Sequence, residues 1–433
     1  MEIHLLPGRE QWSKLLSRDA VASVHDETAR IVSEVFDTVA QNGDAAVREY
    51  ERKFTGAIRT SLKVSEAEID EAESLVEVQL REAIAGAAAN IASFHSAQVM
   101  QPVEVETAPG VMCMQRQLPI DTVGLYVPGG NSPLFSTILM LGVPARIAGC
   151  RRVIMATPAG PDGKVNPAIL YAARVAGVTD IYAMGGAQAV AAMAIGTESV
   201  PRVHKIFGPG NRFVMEAKQL ACYRRGTALD MPAGPSEVMV IADRDADPAF
   251  IASDFLSQAE HGPDSQSILL TDSAEVLEAT VKEIERQLAV LPRGDMMGKS
   301  LEHSRLIQLS SMSEILDFAN AYAPEHLIIN TVDADSIAAG VKSAGSVFLG
   351  PWSSESAGDY ASGTNHTLPT SGYAVAYSGV NLDSFCKKIT YQRLTPEGVR
   401  TLAKTVMTMA KAEGLEAHSR AMEIRQEALQ KSC

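Results

Sequence analysis

Residues 122–130 read TVGLYVPGG, an apolar run that ends in a proline and two glycines. The same pattern returns in RVIMATPAG at residues 152–160 and in DIYAMGG at residues 180–186. Helical patterns lie between the three apolar runs. Strands that alternate with helices in this way predict βαβ units around a mostly parallel sheet.

A second series of apolar runs lies C-terminal to residues 230–235, which are rich in proline and glycine. Helical segments such as Ala274–Ala289 separate these runs, so they predict a second parallel sheet. We therefore expect an α/β protein built from two α/β units with incomplete Rossmann-like sheets. The runs interpreted as strands are Val238–Ala242, Ser267–Thr271, His326–Ile329 and Ser346–Leu349.

Both ends of the chain have helical patterns. In the N-terminal region, Ser65-x-x-Glu68 resembles a capping box at the start of a helix. Residues 396–414 and 418–430 predict a C-terminal helix pair that buries little by itself and needs another surface, such as a partner subunit, to pack on. The predicted segments are an N-terminal arm at 1–24, an α/β domain at 25–125 plus 236–380, a second α/β domain at 126–235, and a C-terminal helical segment at 381–433.

Composition narrows the functional classes. The 433 residues carry a formal net charge of -14, which argues against non-specific binding to nucleic acid. No apolar run reaches the roughly 20 residues of a membrane helix, and the first residues do not resemble a secretory signal. The five cysteines are scattered and form no C-x-x-C pair, so we expect reduced thiols in a cytoplasmic protein.

One group of polar residues is the segment Ser257–Gly262. Gln258 and His261 are three residues apart, which would place both on one face of a helix, as a metal site requires. From chemistry alone, Glu260 and His261 are the more usual pair of ligands. The alternative is an ordinary helix end, with Gly262 and Pro263 as the stop signal.

A second group is the pair Glu325 and His326, which follows a proline and precedes an apolar run. A histidine can act as a general base near neutral pH, and a glutamate can activate water. Consecutive side chains of a strand point to opposite faces, so the pair shares one cleft only at an irregular strand start. The alternative is a surface acid beside a histidine at the edge of the core.

The stretch Gly350–Gly379 is a long irregular region, and such regions are usually functional or disordered. Within it, Asp359 and His366 belong to a polar loop that is typical of binding sites. Glu413 and His418 stand at the junction of the last two helices and are unremarkable by themselves.

Three glycine clusters follow strand-like runs at residues 127–130, 185–188 and 208–211. Their amides are suited to binding phosphates at a helix start. No cluster completes G-x-G-x-x-G, because Phe213 stands where the third cluster needs glycine. Ordinary strand-to-helix turns explain the glycines equally well.

Taken together, these segments resemble the histidinol dehydrogenase family over nearly the whole chain, with a looser resemblance in the first 100 residues. The motifs occur in the order of the family. They are YVPGGNSPLFST from Tyr126, GGAQAVAAMAIGTESVP from Gly185, FGPGN from Phe207, DMPAGPSE from Asp230, SQAEHGPDSQ from Ser257, APEHL from Ala323, AGSVFLG from Ala344, ESAGDYASGTNHTLPTSGYA from Glu355 and AEGLEAH from Ala412.

The resemblance implies a set of site residues and replaces the preference for Glu260. It implies that the domain 25–125 plus 236–380 carries the zinc and acid–base residues, that 126–235 contacts NAD, and that 381–433 crosses to the partner subunit of a homodimer. The implied residues are Gln258, His261, Asp359 and His418 as zinc ligands; Glu325 and His326 as the acid–base pair; Tyr126, Gln188 and Asn211 as cofactor contacts; and Ser236, His326, His366 and Glu413, together with the zinc ligands, as substrate contacts.

The implied reaction is the oxidation of L-histidinol through L-histidinal to L-histidine with two NAD, the last steps of histidine biosynthesis. A relative on the same scaffold that oxidises another small alcohol, such as a sulfonated diol, is the alternative enzyme. Glu413 favours histidinol, because a carboxylate attracts a cationic substrate and repels a sulfonate. A zinc hydrolase and a non-catalytic binding protein are further alternatives.

Overall fold

A computed structural model of the protein describes residues 1–18, 25–129, 133–178 and 180–431. It divides into two compact units, the first formed by Met1–Gln98 with Ile120–Phe385 and the second by Val99–Pro119 with Cys386–Cys433. Part of the predicted arm 1–24 lies outside the described residues, as does Gly130 of the first glycine cluster. Across the described ranges, no helix is long and apolar enough to cross a membrane.

The strands, in chain order, are β1 (Glu2–Leu5), β2 (Val103–Ala108), β3 (Val111–Pro119), β4 (Thr122–Tyr126), β5 (Arg152–Thr157), β6 (Asp180–Ala183), β7 (Lys205–Phe207), β8 (Ala228–Leu229), β9 (Glu237–Ala242), β10 (Gln266–Thr271), β11 (Arg305–Gln308), β12 (His326–Asn330), β13 (Ser346–Leu349) and β14 (Cys386–Leu394).

The helices are α1 (Trp12–Leu15), α2 (His25–Phe54), α3 (Glu66–Leu75), α4 (Val78–Ser96), α5 (Phe135–Ala148), α6 (Pro167–Ala176), α7 (Gly186–Ile195), α8 (Arg212–Arg225), α9 (Pro248–Ala259), α10 (Ala274–Leu288), α11 (Gly294–Glu302), α12 (Met312–Tyr322), α13 (Ala334–Ala338), α14 (Glu355–Tyr360), α15 (Pro396–Ala412) and α16 (Glu416–Lys431). The backbone of α2 is interrupted at Gly43, and the capping box of Ser65 and Glu68 starts α3 as predicted.

One parallel sheet of the first unit has six strands in the order β1-β11-β10-β9-β12-β13. Every residue of β9 and β12 is buried, as expected for central strands whose two faces are both covered. Side chains of β9 alternate between two hydrophobic clusters, with Val238 and Val240 in one and Met239 and Ile241 in the other.

The other parallel sheet of this unit has five strands in the order β6-β5-β4-β7-β8. Its helices include those of the N-terminal region, because α2 packs on α7, α3 packs on α6 and α4 packs on α5. Residues 25–98, which the sequence analysis groups with 236–380, therefore cover the five-stranded sheet. The helical patterns alone did not indicate which sheet they cover.

The second unit is a small sheet with a helix pair. Strand β3 pairs antiparallel with both β2 and β14, and α15 packs on α16. Residues 381–433 are predicted to be helical, whereas Cys386–Leu394 form β14. Its partner β3 lies more than 200 residues earlier in the chain, so no local pattern indicated the pairing. The predicted class, two α/β units with parallel sheets and helical ends, is confirmed.

Candidate active site

The predicted acid–base pair lies at the amino end of the six-stranded sheet. His326 is the first residue of β12 and pairs in register with Val238 of the neighbouring strand β9. Glu325 precedes the strand, so its side chain does not have to point to the face of the sheet opposite His326. His326 Nδ1 lies 3.8 Å from Glu325 Oε2, and both side chains are buried. The irregular strand start therefore brings the two side chains together.

The imidazole of His326 is oriented by the backbone. Its Nδ1 lies 3.2 Å from the carbonyl oxygen of Glu237, so a proton on Nδ1 is donated there, and in the neutral form of the imidazole Nε2 carries the lone pair. The buried Nε2 has no hydrogen-bond partner in the described structure and lies 3.5 Å from Asp359 Oδ1. Burial by itself lowers the pKa of His326, but the carboxylates of Glu355, Glu325 and Asp359 raise it to about 10.

The carboxylate of Glu325 is oriented by the same residue. Its Oε2 accepts a hydrogen bond of 2.8 Å from the backbone N–H of Glu237. Burial raises the pKa of Glu325 to about 8, although the nearby His326 acts in the opposite direction. A carboxyl group that titrates near neutral pH is suited to general acid–base catalysis.

Several oxygen and nitrogen donors converge beside this pair. Donor atoms of His261, Glu355 and Asp359 all lie within 4.8 Å of one another. Gln258 is fully buried, and neither its amide oxygen nor its amide nitrogen has a partner in the described structure. Buried polar atoms are normally hydrogen-bonded or bound to an ion. A divalent cation that prefers nitrogen and oxygen ligands, as Zn²⁺ does, fits this donor set.

The helix expected to carry both Gln258 and His261 carries only the first. Helix α9 ends at Ala259, and His261 lies in the following turn, where its N–H donates to the carbonyl oxygen of Gln258. A helix end, and not a continuous helical face, therefore carries the two residues. Gly262 and Pro263 follow this helix end, and two of the donors lie in the same segment. The helix-end and metal-site interpretations of residues 257–262 are therefore compatible.

His366 and Ser236 border the same region. His366 Nδ1 donates to the backbone oxygen of Asp359 at 2.8 Å, and its Nε2 lies 3.3 Å from the hydroxyl of Thr137. Burial lowers the pKa of His366, which keeps the imidazole neutral near pH 7. Ser236 is half-buried immediately before β9, one residue from Glu237.

The three predicted cofactor contacts line one cavity at the carboxyl ends of the five-stranded sheet. This cavity has a volume of about 1410 Å³, and Tyr126, Gln188 and Asn211 all contribute to its wall. They follow or end β4, β6 and β7, the usual position of ligands in parallel sheets. Asn211 also caps α8 through its side chain, so its helix-start role and a cofactor role coexist.

A buried carboxylate supports the wall of this cavity. Glu51 Oε1 accepts hydrogen bonds of 2.8 Å from the backbone N–H of Gly185 and from the amide nitrogen of Gln188. The backbone N–H of Gly186 in turn donates to the hydroxyl of Tyr126. The glycine turn after β6 is therefore fixed by side chains from α2 and β4.

The third glycine turn is fixed in a similar way. The buried ammonium of Lys218 binds the carbonyl oxygen of Gly208 at 2.9 Å and forms an ion pair with Asp230. Asp230 also accepts from the N–H of Gly208. These contacts hold the turn that leads to Asn211.

Comparison with known proteins by family profile, by sequence and by structure points to one family. The profile of the histidinol dehydrogenase family matches residues 19–426. The chain belongs to the histidinol dehydrogenase family. Histidinol dehydrogenases from Bacteroides fragilis and Escherichia coli K12 are each 52% identical to it, over 100% and 97% of this chain and 100% and 96% of theirs. The crystal structure of histidinol dehydrogenase from Elizabethkingia anophelis matches with a TM-score of 0.97 and 48% identity, covering 99% of both chains.

The residues that the histidinol dehydrogenase family implies lie in three places. His261, Glu325, His326, Asp359 and His366 lie close together around the amino ends of β9 and β12, Gln258 is buried near the end of α9, and Ser236 directly precedes β9. Tyr126, Gln188 and Asn211 line the cavity. Glu413 and His418 lie in the second unit, exposed, around the connection between α15 and α16, and their part in the site stays a prediction.

Sequence reasoning missed three residues of this family member that the structure places at the two sites. Glu355 is buried beside His326 and both of its carboxylate oxygens have no hydrogen-bond partner in the described structure. Its signal was its spacing of four residues from Asp359 on α14, which places both on one helix face. Glu51 and Glu237 had no local signal, because they act through contacts with residues more than 80 positions away.

Proposed function

We propose that this protein oxidises L-histidinol to L-histidine through L-histidinal, with NAD as the electron acceptor. The observation that carries the proposal is the buried pair Glu325 and His326, with His326 Nε2 directed toward the donor cluster at Asp359. The relatives at 52% identity, which are named histidinol dehydrogenases, favour histidinol over the sulfonated diol.

In this proposal Gln258, His261 and Asp359 would hold a zinc ion, and His418 would complete the set from the other copy of a homodimer. The orphaned amide of Gln258 and the converging donors of His261 and Asp359 support it. When bound, zinc supplies a positive charge that orients the nitrogen atoms of the substrate. Such a charge would also oppose the rise in the pKa of His326 that the surrounding carboxylates cause.

His326 acts as the general base of the alcohol step. Its Nδ1 proton is held by the carbonyl of Glu237, which leaves the Nε2 lone pair for the hydroxyl proton of histidinol. NAD, when bound in the cavity lined by Tyr126, Gln188 and Asn211, would accept the hydride. His326 has to release the proton to solvent or to a neighbouring carboxylate before the second oxidation.

Glu325 acts in the aldehyde step. Its carboxylate removes a proton from water as the water adds to the aldehyde, and His326 then takes a proton from the hydrate as the second hydride leaves. The buried site around both side chains limits the access of other water molecules. Ser236, His366 and Glu413 are proposed to contact the substrate.

We also propose that the domain 25–125 plus 236–380 carries the acid–base residues and the zinc ligands other than His418, that 126–235 carries the cofactor contacts, and that 381–433 is exchanged between the subunits of a cytoplasmic homodimer. The cavity at the five-stranded sheet and the cluster at the six-stranded sheet support the first two assignments. The third assignment is supported by the C-terminal helix pair, α15 and α16, which buries little by itself.

The decisive experiment measures the absorbance of reduced nicotinamide after purified protein is mixed with L-histidinol and NAD, with and without a chelator. We expect two NADH per histidinol, loss of the activity in chelator, and its return with Zn²⁺. A sulfonated diol in place of histidinol serves as the control substrate. No NADH with histidinol would overturn the proposal, and activity that survives complete removal of metal would overturn the zinc assignment.

A further inference from the structure

The two catalytic side chains share a common support, the backbone of Glu237. Its N–H binds the carboxylate of Glu325 at 2.8 Å, and its carbonyl oxygen binds Nδ1 of His326 at 3.2 Å. A displacement of Glu237 would therefore change the orientation of the acid and the base together. The contacts that hold Glu237 in place therefore affect the orientation of both catalytic side chains.

The side chain of Glu237 is held by an arginine from the N-terminal segment. Arg18 donates from Nε to Oε1 at 2.5 Å and from Nη2 to Oε2 at 3.1 Å, a bidentate pair. Glu237 Oε1 also accepts from the backbone N–H of Ser371 at 3.2 Å. The Glu237 side chain is 4% exposed and the Arg18 side chain 19%, so water screens the pair only weakly.

The guanidinium of Arg18 also binds the segment that leads to Glu325. Arg18 Nη2 donates to the carbonyl oxygen of Tyr322 at 2.8 Å, and its carbon Cζ lies 3.8 Å from the centre of the Tyr322 ring. Between Tyr322 and Glu325 the chain turns sharply, because Ala323 has a left-handed backbone with φ of 53° and Pro324 follows. Arg18 therefore joins the end of α12 to the start of β9.

We propose that Arg18 is a positioning residue, which keeps Glu325 and His326 in their catalytic orientation by fixing Glu237 and the chain at Tyr322. A planar guanidinium suits this position because it can donate to the Glu237 carboxylate and to the Tyr322 carbonyl at the same time. Removal of Arg18 would leave a buried carboxylate without its cation, which is costly and favours movement of Glu237. The proposal rests on the proposed function for its kinetic consequence.

Arg305 provides a matched control for the loss of contacts that hold the N-terminal segment. Arg305 on β11 donates to the carbonyl oxygens of Leu15 at 2.6 Å and Ser17 at 3.2 Å. It therefore anchors the same N-terminal segment, and within the described part of the chain it makes no hydrogen bond to Glu237. A variant at Arg305 loosens the segment and keeps the pair of Arg18 with Glu237.

The kinetic test compares Arg18→Gln with Arg305→Gln in the full-length protein. We expect Arg18→Gln to lower kcat for histidinol and for histidinal at least about tenfold, with both KM values changed less than about twofold, because orientation and not binding is lost. Arg305→Gln should keep kcat within about twofold, even where both variants lower Tm. Arg18→Lys keeps the charge without the bidentate geometry and should give an intermediate kcat.

A structural test separates this proposal from the proposed function. Crystal structures of both variants should show the two contacts of the Glu237 backbone lengthened beyond about 3.5 Å in Arg18→Gln and intact in Arg305→Gln. If Arg18→Gln does not fold, Arg18→Lys takes its place in both tests. Unchanged contacts in the Arg18 variant, or equal losses of kcat in both variants, would overturn the role of Arg18. Wild-type protein that does not oxidise histidinol would overturn the proposed function alone, since the contact distances still decide the role of Arg18.

Discussion

At the scale of single residues, Glu325 and His326 are expected to serve the two oxidation steps unequally. Glu325→Gln preserves the size of the side chain and its hydrogen bond from Glu237 but removes the base. We expect aldehyde oxidation to fall at least about 100-fold and alcohol oxidation to fall much less. Rates measured separately with histidinol and with histidinal test this. Equal losses in the two steps would contradict water activation by Glu325.

Glu51 allows a second test at a single residue, now in the cofactor cavity. Glu51→Ala removes the acceptor for the N–H of Gly185 and for the amide of Gln188, two groups that shape the cavity wall. Loss of one buried hydrogen bond costs about 1–3 kcal/mol, so we expect the KM for NAD to rise about tenfold or more.

The control for Glu51 is Asp44→Ala on the same helix. Asp44 accepts from the hydroxyl of Thr197 and from the N–H of Ser199, outside the cavity wall. Both variants should lower Tm, but only Glu51→Ala should raise the KM for NAD. A similar rise in the Asp44 variant would mean that the docking of α2, and not the support of Gln188, sets cofactor affinity.

Individual residues also show why part of the site escaped prediction. The spacing of Gln258 and His261 was visible in the sequence, and the family motifs singled out Asp359. The proximity of Asp359 to His326, and through His326 to Glu325, is a tertiary contact between α14 and the start of β12. Glu355 had the appearance of an ordinary acid in the first turn of a helix, and apart from its spacing from Asp359 only its burial distinguishes it.

At the scale of elements, the glycine turn after β7 requires a glycine at its first position. Gly208 has φ of 120°, and a side chain there would overlap the carbonyl oxygen of Tyr126. Gly226 is left-handed as well, with φ of 64°, but a methyl group there meets open space in the described structure. Gly226→Ala should cost about 1–2 kcal/mol of unfolding free energy, and Gly208→Ala at least about 2 kcal/mol more.

Urea denaturation of the two alanine variants measures this difference directly. The cofactor affinity of Gly226→Ala should match that of the wild type, while that of Gly208→Ala should fall, because the turn at Gly208 leads to Asn211 in the cavity wall. Equal stability of the two variants would show that the overlap with Tyr126 is relieved by movement of the turn.

The start of α3 gives a prediction for the effect of pH on stability. Glu68 forms an ion pair with Arg59, and hydrogen bonds from Arg59 lower the pKa of Glu68 from 4.5 to about 2. A lowered pKa in the folded state stabilises the protein above about pH 4.5, and this contribution is lost as the pH falls toward 2. Because Glu68 is partly exposed, we expect about 1 kcal/mol after solvent screening.

The variant Glu68→Gln should therefore reduce the unfolding free energy at pH 7 and have little effect near pH 2. Glu66→Gln, which changes an exposed acid in the same helical turn, serves as the control and should have a smaller effect at pH 7. Urea denaturation at several pH values measures both. A Glu68 effect that does not depend on pH would contradict the linkage to this pKa.

Most strands of the parallel sheets could be predicted because their patterns are local. The run Thr122–Val127 is β4 (Thr122–Tyr126), and the run His326–Ile329 is β12 (His326–Asn330). The edge strand β1 and the pairing of β14 with β3 were not predicted. Most of β1 is exposed, and β14 and β3 are far apart in sequence, so neither the apolar pattern nor the spacing indicated them.

At the scale of the whole molecule, the two sheets of the first unit place the proposed sites at opposite strand ends. The proposed cofactor cavity lies at the carboxyl ends of the five-stranded sheet, and the proposed acid–base pair lies at the amino end of the six-stranded sheet. His366 connects the two, since one ring nitrogen binds the backbone of Asp359 and the other faces Thr137 of α5. Helix α5 directly follows β4, so the polar loop of His366 is tied to the part that carries Tyr126.

The proposed exchange of the C-terminal segment predicts complementation between two inactive variants. His418→Ala lacks the ligand that a subunit would give to its neighbour, and Glu325→Gln lacks the base of its own site. In a mixed dimer, the Glu325 of the first variant would meet the His418 of the second, and one of the two sites would be complete.

Random reassociation of equal amounts of the two variants should therefore restore about a quarter of wild-type activity for histidinal oxidation. The subunits are mixed in mild denaturant, the denaturant is removed with Zn²⁺ present, and NADH formation is measured. Each variant treated alone in the same way provides the control. If the mixture is no more active than its components, His418 serves the site of its own chain, and the C-terminal segment is not exchanged.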